Sequence, residues 1–214
     1  MRLYLSSFRM GSCPGRIADL TRGGMKAVVI ANAMDAYPHG VRSEGVKREL
    51  DALTHLGFQA EELDLRDDLD DHLVEGHLRR HDLVWIRGGD VFTLRHSLLV
   101  SGAGGALKRL LADDAIAYGG YSAGACVLAP TLHGLEEVDD PALVKRLYEV
   151  EPTWDGLGLL DYCIVPHVES PDHPESQACD RLLERYRASG MPHRALRDGQ
   201  VLIIDGDREE TCSG

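Results

Sequence analysis

Ser122 lies in Gly120-Tyr121-Ser122-Ala123-Gly124, a Gly-x-Ser-x-Gly run of the kind that sets a serine on a tight strand-to-helix turn with its hydroxyl exposed. Small residues two before and two after the serine let the helix close onto the strand. The N–H of Ala123 then opens a helix, where unpaired donors and the helix dipole favour negative charge, which is half of an oxyanion hole. A serine hydroxyl is a weak nucleophile until a base takes its proton, and the usual base is a histidine oriented by a carboxylate. Among the ten histidines, His167 directly follows the apolar run Tyr162-Cys163-Ile164-Val165, at a strand end that should overhang the same edge as Ser122. Gly88-Gly89 closes the run Asp82 to Ile86 and could bring bare backbone N–H groups to a substrate carbonyl. Each signal also has an ordinary reading: small residues join many strands to helices, a histidine can cap a strand, and paired glycines make turns.

The elements that must position these residues follow from hydrophobic spacing. Leu3–Ser7, Lys26–Asn32, Gln59–Leu65, Asp82–Ile86, Ile116–Gly119, Tyr162–Val165 and Gln200–Ile204 read as strands, Lys26–Asn32 as the continuous β-branched run expected of a parallel strand covered on both faces. Val41–Leu56, Asp67–Arg80, Val91–Leu111 (broken near residues 101–105), Ala142–Tyr148 and Pro174–Ser189 carry helical spacing. After the turn Asp205-Gly206-Asp207 too few residues remain for another element of any size. Strand and helix alternate, so the expected fold is a three-layer α/β/α domain with a mostly parallel, doubly wound sheet. Ligands in such folds bind beyond the carboxyl ends of the strands, which is where Gly88-Gly89 and Ser122 both fall.

With 214 residues, 43% of them hydrophobic, the chain can enclose one core, and a single domain over residues 1–214 is expected. Its formal charge of -12 opposes the phosphate attraction behind non-specific nucleic-acid binding. The acids at the start of the Asp67–Arg80 helix suit its dipole better than a metal, and His55, His72, His77 and His81 lie amid charged helical stretches and read as solvated. Cys13, Cys126, Cys163, Cys179 and Cys212 are odd in number and form no Cys-x-x-Cys, so reduced thiols in a cytoplasmic, soluble protein are expected. No apolar run is long enough for a leader or a membrane span. No metal-ligand spacing or dinucleotide Gly-x-Gly-x-x-Gly occurs, so no cofactor and no metal are expected.

Trp85-Ile86-Arg87-Gly88-Gly89-Asp90-Val91-Phe92, then Tyr118-Gly119-Gly120-Tyr121-Ser122-Ala123-Gly124-Ala125 with Pro130-Thr131, then Val165-Pro166-His167 resemble, in order and spacing, the peptidase E (aspartyl dipeptidase) family of serine peptidases. The resemblance implies a fold similar to class I glutamine amidotransferases, no cofactor, and a short peptide as substrate. It implies Ser122 as nucleophile, His167 as general base, and the N–H groups of Gly89 and Ala123 as the oxyanion hole. The family's acid lies some fifteen residues past the nucleophile, which lands on Glu137, with Asp140 second and Glu136 and Asp139 crowding the position. Two departures bear on substrate. Asp90 replaces the family's asparagine after Gly88-Gly89, and Gln177 stands where the dipeptidase has the arginine that reads an aspartyl side chain, with Arg181 a turn further on. Aspartyl specificity is therefore not expected to carry over. An esterase or other acyl hydrolase, and a binding protein that keeps the scaffold without turnover, stay open as readings, as do monomer and homodimer.

Overall fold

The computed structural model describes residues 1–67 and 71–213; Asp68, Leu69 and Asp70, read above as part of the Asp67–Arg80 helix, lie outside the described residues. Five strands run parallel: β1 (Arg2–Ser6), β2 (Lys26–Ile30), β3 (Gln59–Glu62), β4 (Leu83–Ile86) and β5 (Ala117–Tyr121). Two more, β8 (Val201–Asp205) and β9 (Arg208–Cys212), add antiparallel beyond β1, giving the order β3-β2-β4-β5-β1-β8-β9. Between β5 and β8 in sequence, β6 (Cys163–Val165) and β7 (His193–Ala195) pair with each other, outside that sheet. The helices are α1 (Arg16–Leu20), α2 (His39–His55), α3 (Asp71–Leu78), α4 (Val91–Val100), α5 (Ala103–Ala112), α6 (Ala123–Cys126), α7 (Ala142–Tyr148) and α8 (Ser176–Ser189).

Successive side chains of a strand point to opposite faces, and this alternation divides the core. Leu3, Leu5, Val28, Ile30, Val84 and Ile86 meet α4, α5 and α8 on one face. Tyr4, Ala27, Val29, Leu83 and Trp85 meet Ile17 and Leu20 of α1 and Leu53 of α2 on the other. The expected three-layer, mostly parallel arrangement is therefore the one observed.

Two expectations are corrected at the carboxyl-terminal end. Residues 208–212 form β9 rather than a tail; Arg-Glu-Glu-Thr-Cys carries no apolar run because β9 is the sheet's outer strand, and edge strands tolerate charge. Cys13 and Cys212 are joined as a disulfide, with Cα atoms 6.5 Å apart, so only Cys126, Cys163 and Cys179 are thiols. The partners lie 199 residues apart in sequence, a pairing no local spacing could announce. Among the described residues no helix is long and apolar enough to cross a membrane.

Candidate active site

The turn between β5 and α6 has the shape its glycines allow. Ser122 caps α6 with φ 49° and ψ -119°, a left-handed backbone that a non-glycine residue adopts only where surrounding structure enforces it. A Cβ on Gly124 would sit 2.3 Å from the Ile86 carbonyl oxygen, and one on Gly88 would sit 2.9 Å from the Ser122 Cβ. Neither position has room for a side chain, so both glycines are needed for β4, β5 and α6 to meet. Beneath the turn, the buried Glu49 of α2 accepts from Tyr121 Oη at 2.8 Å and Trp85 Nε1 at 2.9 Å, which fixes the end of β5 from the other face.

His167 follows β6 at the carboxyl rim, also with positive φ (58°), and is 1% exposed. Its Nδ1 lies 2.7 Å from Asp198 Oδ1. A carboxylate only accepts, so Nδ1 carries the proton and Nε2 keeps its lone pair. That Nε2 is buried with no hydrogen-bond partner, Ser122 included, and its nearest acid is Glu175, whose Oε2 is 4.0 Å away. Asp198 is itself held: Ser7 Oγ lies 2.8 Å from its Oδ1 while accepting the His167 N–H at 2.8 Å, and the Asp198 N–H donates to Ser170 Oγ at 2.9 Å. Burial pushes the imidazole pKa down, the Asp198 bond pulls it up, and the neighbouring His173 pushes it down again, leaving it below its ordinary value.

The acids expected beside the histidine are occupied elsewhere. Glu137 and Glu136 each lie 3.0 Å from Arg185 of α8, Asp140 takes Arg146 at 2.6 Å, and Asp139 accepts the Val91 N–H at 3.0 Å. None of them touches His167. Asp198 was missed because Asp198-Gly199 before a strand reads as a turn; only the antiparallel placement of β8 against β1, with Ser6 opposite Val201, brings that turn to the rim.

Ser122, His167, Gly88, Gly89, Tyr121, His173 and Glu175 line one cavity of about 300 Å³. Gly89 has φ 152°, and a Cβ there would meet the Ala33 carbonyl oxygen at 2.4 Å. The N–H groups of Gly89 and Ala123 find no acceptor among the described residues. A hydroxyl, an imidazole and two unpaired amide donors thus meet at one rim. The nitrogens of His167 and His173 and a Glu175 oxygen lie within 4.8 Å of one another; a cation there would compete with the lone pair of His167.

The family model for peptidase family S51 matches residues 12–212. The chain belongs to peptidase family S51. It is a serine peptidase of the peptidase E type, acting on peptide substrates. An uncharacterised peptidase of Listeria innocua is 28% identical over 154 residues, covering 72% of this chain and 70% of the relative. The protein named Probable alpha-aspartyl dipeptidase in Drosophila melanogaster is 26% identical over 198 residues, 91% of this chain and 76% of that one. A crystal structure from Listeria monocytogenes EGD-e, provisionally named peptidase E, superposes with a TM-score of 0.81 at 21% identity, over 99% of this chain and 98% of the other.

Within this S51 peptidase the positions expected to read substrate divide. Gly88 and Gly89 line the cavity. Asp90 does not: it is 3% exposed and caps α4, accepting from Thr93 N at 2.7 Å and from Asp140 N at 3.2 Å. Its carboxylate thus holds the helix start and the Asp140 loop instead of facing a substrate. Gln177 and Arg181 are exposed on α8 and lie outside the cavity lining. The arginines that do line it are Arg9, Arg48 and Arg87, none of which was expected there. Cys126 is buried inside the turn of α6 with its thiol directed at the Ile164 carbonyl, so the elbow carries no cysteine nucleophile.

Proposed function

We propose that this S51 peptidase cleaves short peptides through an acyl-enzyme on Ser122, with His167 as general base, Asp198 as the residue that orients it, and Gly89 and Ala123 as oxyanion donors. His167 Nε2 takes the Ser122 hydroxyl proton as Oγ attacks the scissile carbonyl, and the tetrahedral oxyanion is met by the two amide N–H groups. The same proton passes to the departing amine as the carbon–nitrogen bond breaks. His167 then takes a proton from water as the water oxygen attacks the ester carbonyl, and gives that proton to Ser122 Oγ as the acyl–oxygen bond breaks. The observation that carries the reading is the unpartnered Nε2 of His167 in the cavity that Ser122 lines, with its Nδ1 tied to Asp198. Catalytic hydrogen bonds are often long in unliganded enzymes and tighten when substrate binds, in keeping with the open contact to Ser122.

The fly relative's aspartyl preference finds no support at Gln177. Arg87 is engaged with Glu49 and the Gly88 carbonyl, but Arg9 and Arg48 meet no acid among the described residues. They are placed to receive a carboxylate of a short peptide at the cavity mouth. The test is covalent labelling with a fluorophosphonate, read by intact mass, alongside hydrolysis of a dipeptide library and simple esters. One adduct on wild type, none on Ser122→Ala, and faster turnover of peptides than of esters are expected. An unlabelled wild type would remove the nucleophile; labelling with ester turnover alone would favour the acyl-hydrolase reading.

A further inference from the structure

At the opposite end of the strands from Ser122, beside the starts of β2 and β3, three metal-ligating side chains converge that the proposed chemistry does not use. Beyond α3 the chain tightens into three-residue turns, Arg80 N to the His77 carbonyl at 3.2 Å and His81 N to the Leu78 carbonyl at 3.1 Å. This swings His81 back beside His77, their rings 5.2 Å apart. Glu61 of β3 completes the set: its Oε1 lies 2.9 Å from His77 Nε2 and 3.2 Å from His81 Nε2. All three donor atoms fall within 4.8 Å of one another.

The hydrogen bonds around the rings explain why this is more than a solvated patch. His81 has a side chain only 8% exposed and its Nδ1 lies 3.0 Å from the His77 carbonyl; a carbonyl only accepts, so Nδ1 carries hydrogen and Nε2 is the ring atom turned toward the Glu61 carboxylate. A ligating histidine typically donates its other N–H to a carbonyl in this way. His77 Nε2 is buried and makes no well-directed hydrogen bond despite its close carboxylate. A tetrahedral zinc ion with bonds of about 2.0–2.2 Å sets its ligand atoms about 3.3 Å apart, close to the two observed separations.

We propose that Glu61, His77 and His81 form a zinc site that ties the edge strand β3 to the turn between α3 and β4. Two imidazoles and one carboxylate suit zinc, and Glu61, 57% exposed, leaves the fourth position to water. Arg80 opposes the site in the metal-free protein: its Nη2 lies 2.8 Å from His77 Nδ1, and a guanidinium can only donate. Zinc on Nε2 requires Nδ1 to hold a proton, so Arg80 must swing into solvent.

The test is calorimetric titration of metal-free, tag-free protein with Zn²⁺, with Co²⁺ absorption as a second readout of coordination. Wild type is expected to take up one more zinc ion than H77A/H81A. E61Q, which disturbs the fold least, should weaken binding by more than the roughly tenfold to hundredfold that loss of a merely orienting residue costs. R80A keeps every ligand and should bind at least as tightly as wild type. The His167, His173 and Glu175 set is intact in all four proteins and cancels from the comparison. Superimposable titrations of wild type, H77A/H81A and E61Q would overturn the site, as would a loss in R80A equal to that in E61Q.

Discussion

Two segments bring carboxylates toward the rim where Ser122 lies, and they differ in what the fold does with them. The stretch from Glu136 to Asp140 is close to Ser122 in sequence and rich in acid, yet its members are held by Arg185, Arg146 and the start of α4. The turn at Asp198 holds a single acid 31 residues beyond His167, and that acid reaches the imidazole. It arrives because β8 runs antiparallel to β1 and so starts where β1 ends. Ser7, one residue past β1, then bonds both the Asp198 carboxylate and the His167 backbone. Orientation of the His167 imidazole comes from closure of the sheet, whereas distance along the chain from the serine would have placed its acid in the acid-rich stretch.

Asp198→Asn is the hardest blow to this contrast. An amide would favour the wrong imidazole tautomer, and kcat is expected to fall by about 10⁴ with KM little changed, as loss of the orienting acid does in serine proteases. Steady-state kinetics on the best dipeptide, with circular dichroism to confirm folding, measures it. A small loss here together with a large one in Glu137→Gln would reverse the two segments' roles.

The same region should be the more sensitive to its covalent tie. Ser12 donates twice to the Gly199 carbonyl, both at 2.8 Å, from its backbone and its hydroxyl, and the neighbouring Cys13 is bonded to Cys212 of β9. Cys212→Ser is expected to destabilise the fold by about 2–4 kcal/mol. Urea denaturation under non-reducing conditions measures this, and dithiothreitol should bring wild type down to the variant. Identical curves with and without reductant would mean the turn carrying Asp198 is held by hydrogen bonds alone.

This contrast also marks what could be read from the sequence. The parallel strands were legible because Ala27–Ile30 and Leu83–Ile86 are buried on both faces and therefore continuously apolar. Ser122, Gly88, Gly89 and His167 were legible because each sits at the end of such a run. Asp198 was not, since its place depends on which strand pairs with β1, and β9 was not, since an outer strand needs no apolar stripe. Gln177 and Asp90 were assigned by position relative to a family pattern; helix phase turns the first to solvent, and an α4 cap buries the second.

His173 offers a finer probe of the Asp198 side. Its ring stacks on His167 with centroids 3.5 Å apart; it helps bury His167 and pushes the His167 pKa down. In the proposed mechanism His167 acts only when neutral, so a depressed pKa extends activity to lower pH. His173→Ala removes that push and admits water, and both changes raise the His167 pKa. The acid limb of the kcat/KM profile should therefore move to higher pH. A shift in the opposite direction would show that His173 stabilises the charged base, and the electrostatics assigned to this side of the rim would fail.

The smallest effect should come from the segment that distance along the chain favoured. Glu137 is partly exposed and shares Arg185 with Glu136, so Glu137→Gln leaves the arginine one carboxylate partner and the 3₁₀ turn at Leu135–Glu137 intact. Exposed ion pairs of this kind contribute little, and no path of hydrogen bonds leads from Glu137 to His167 among the described residues. Wild-type kcat, KM and pH profile are expected, with a melting temperature that barely moves. Because Asp198→Asn and Glu137→Gln both exchange a carboxylate for an amide of nearly the same shape, any difference between them reports position in the fold and not side-chain volume. A marked loss of kcat in Glu137→Gln with Asp198→Asn still active would require the loop to rearrange when substrate binds, carrying Glu137 from Arg185 to the imidazole, and a double variant that loses no more than Glu137→Gln alone would establish it.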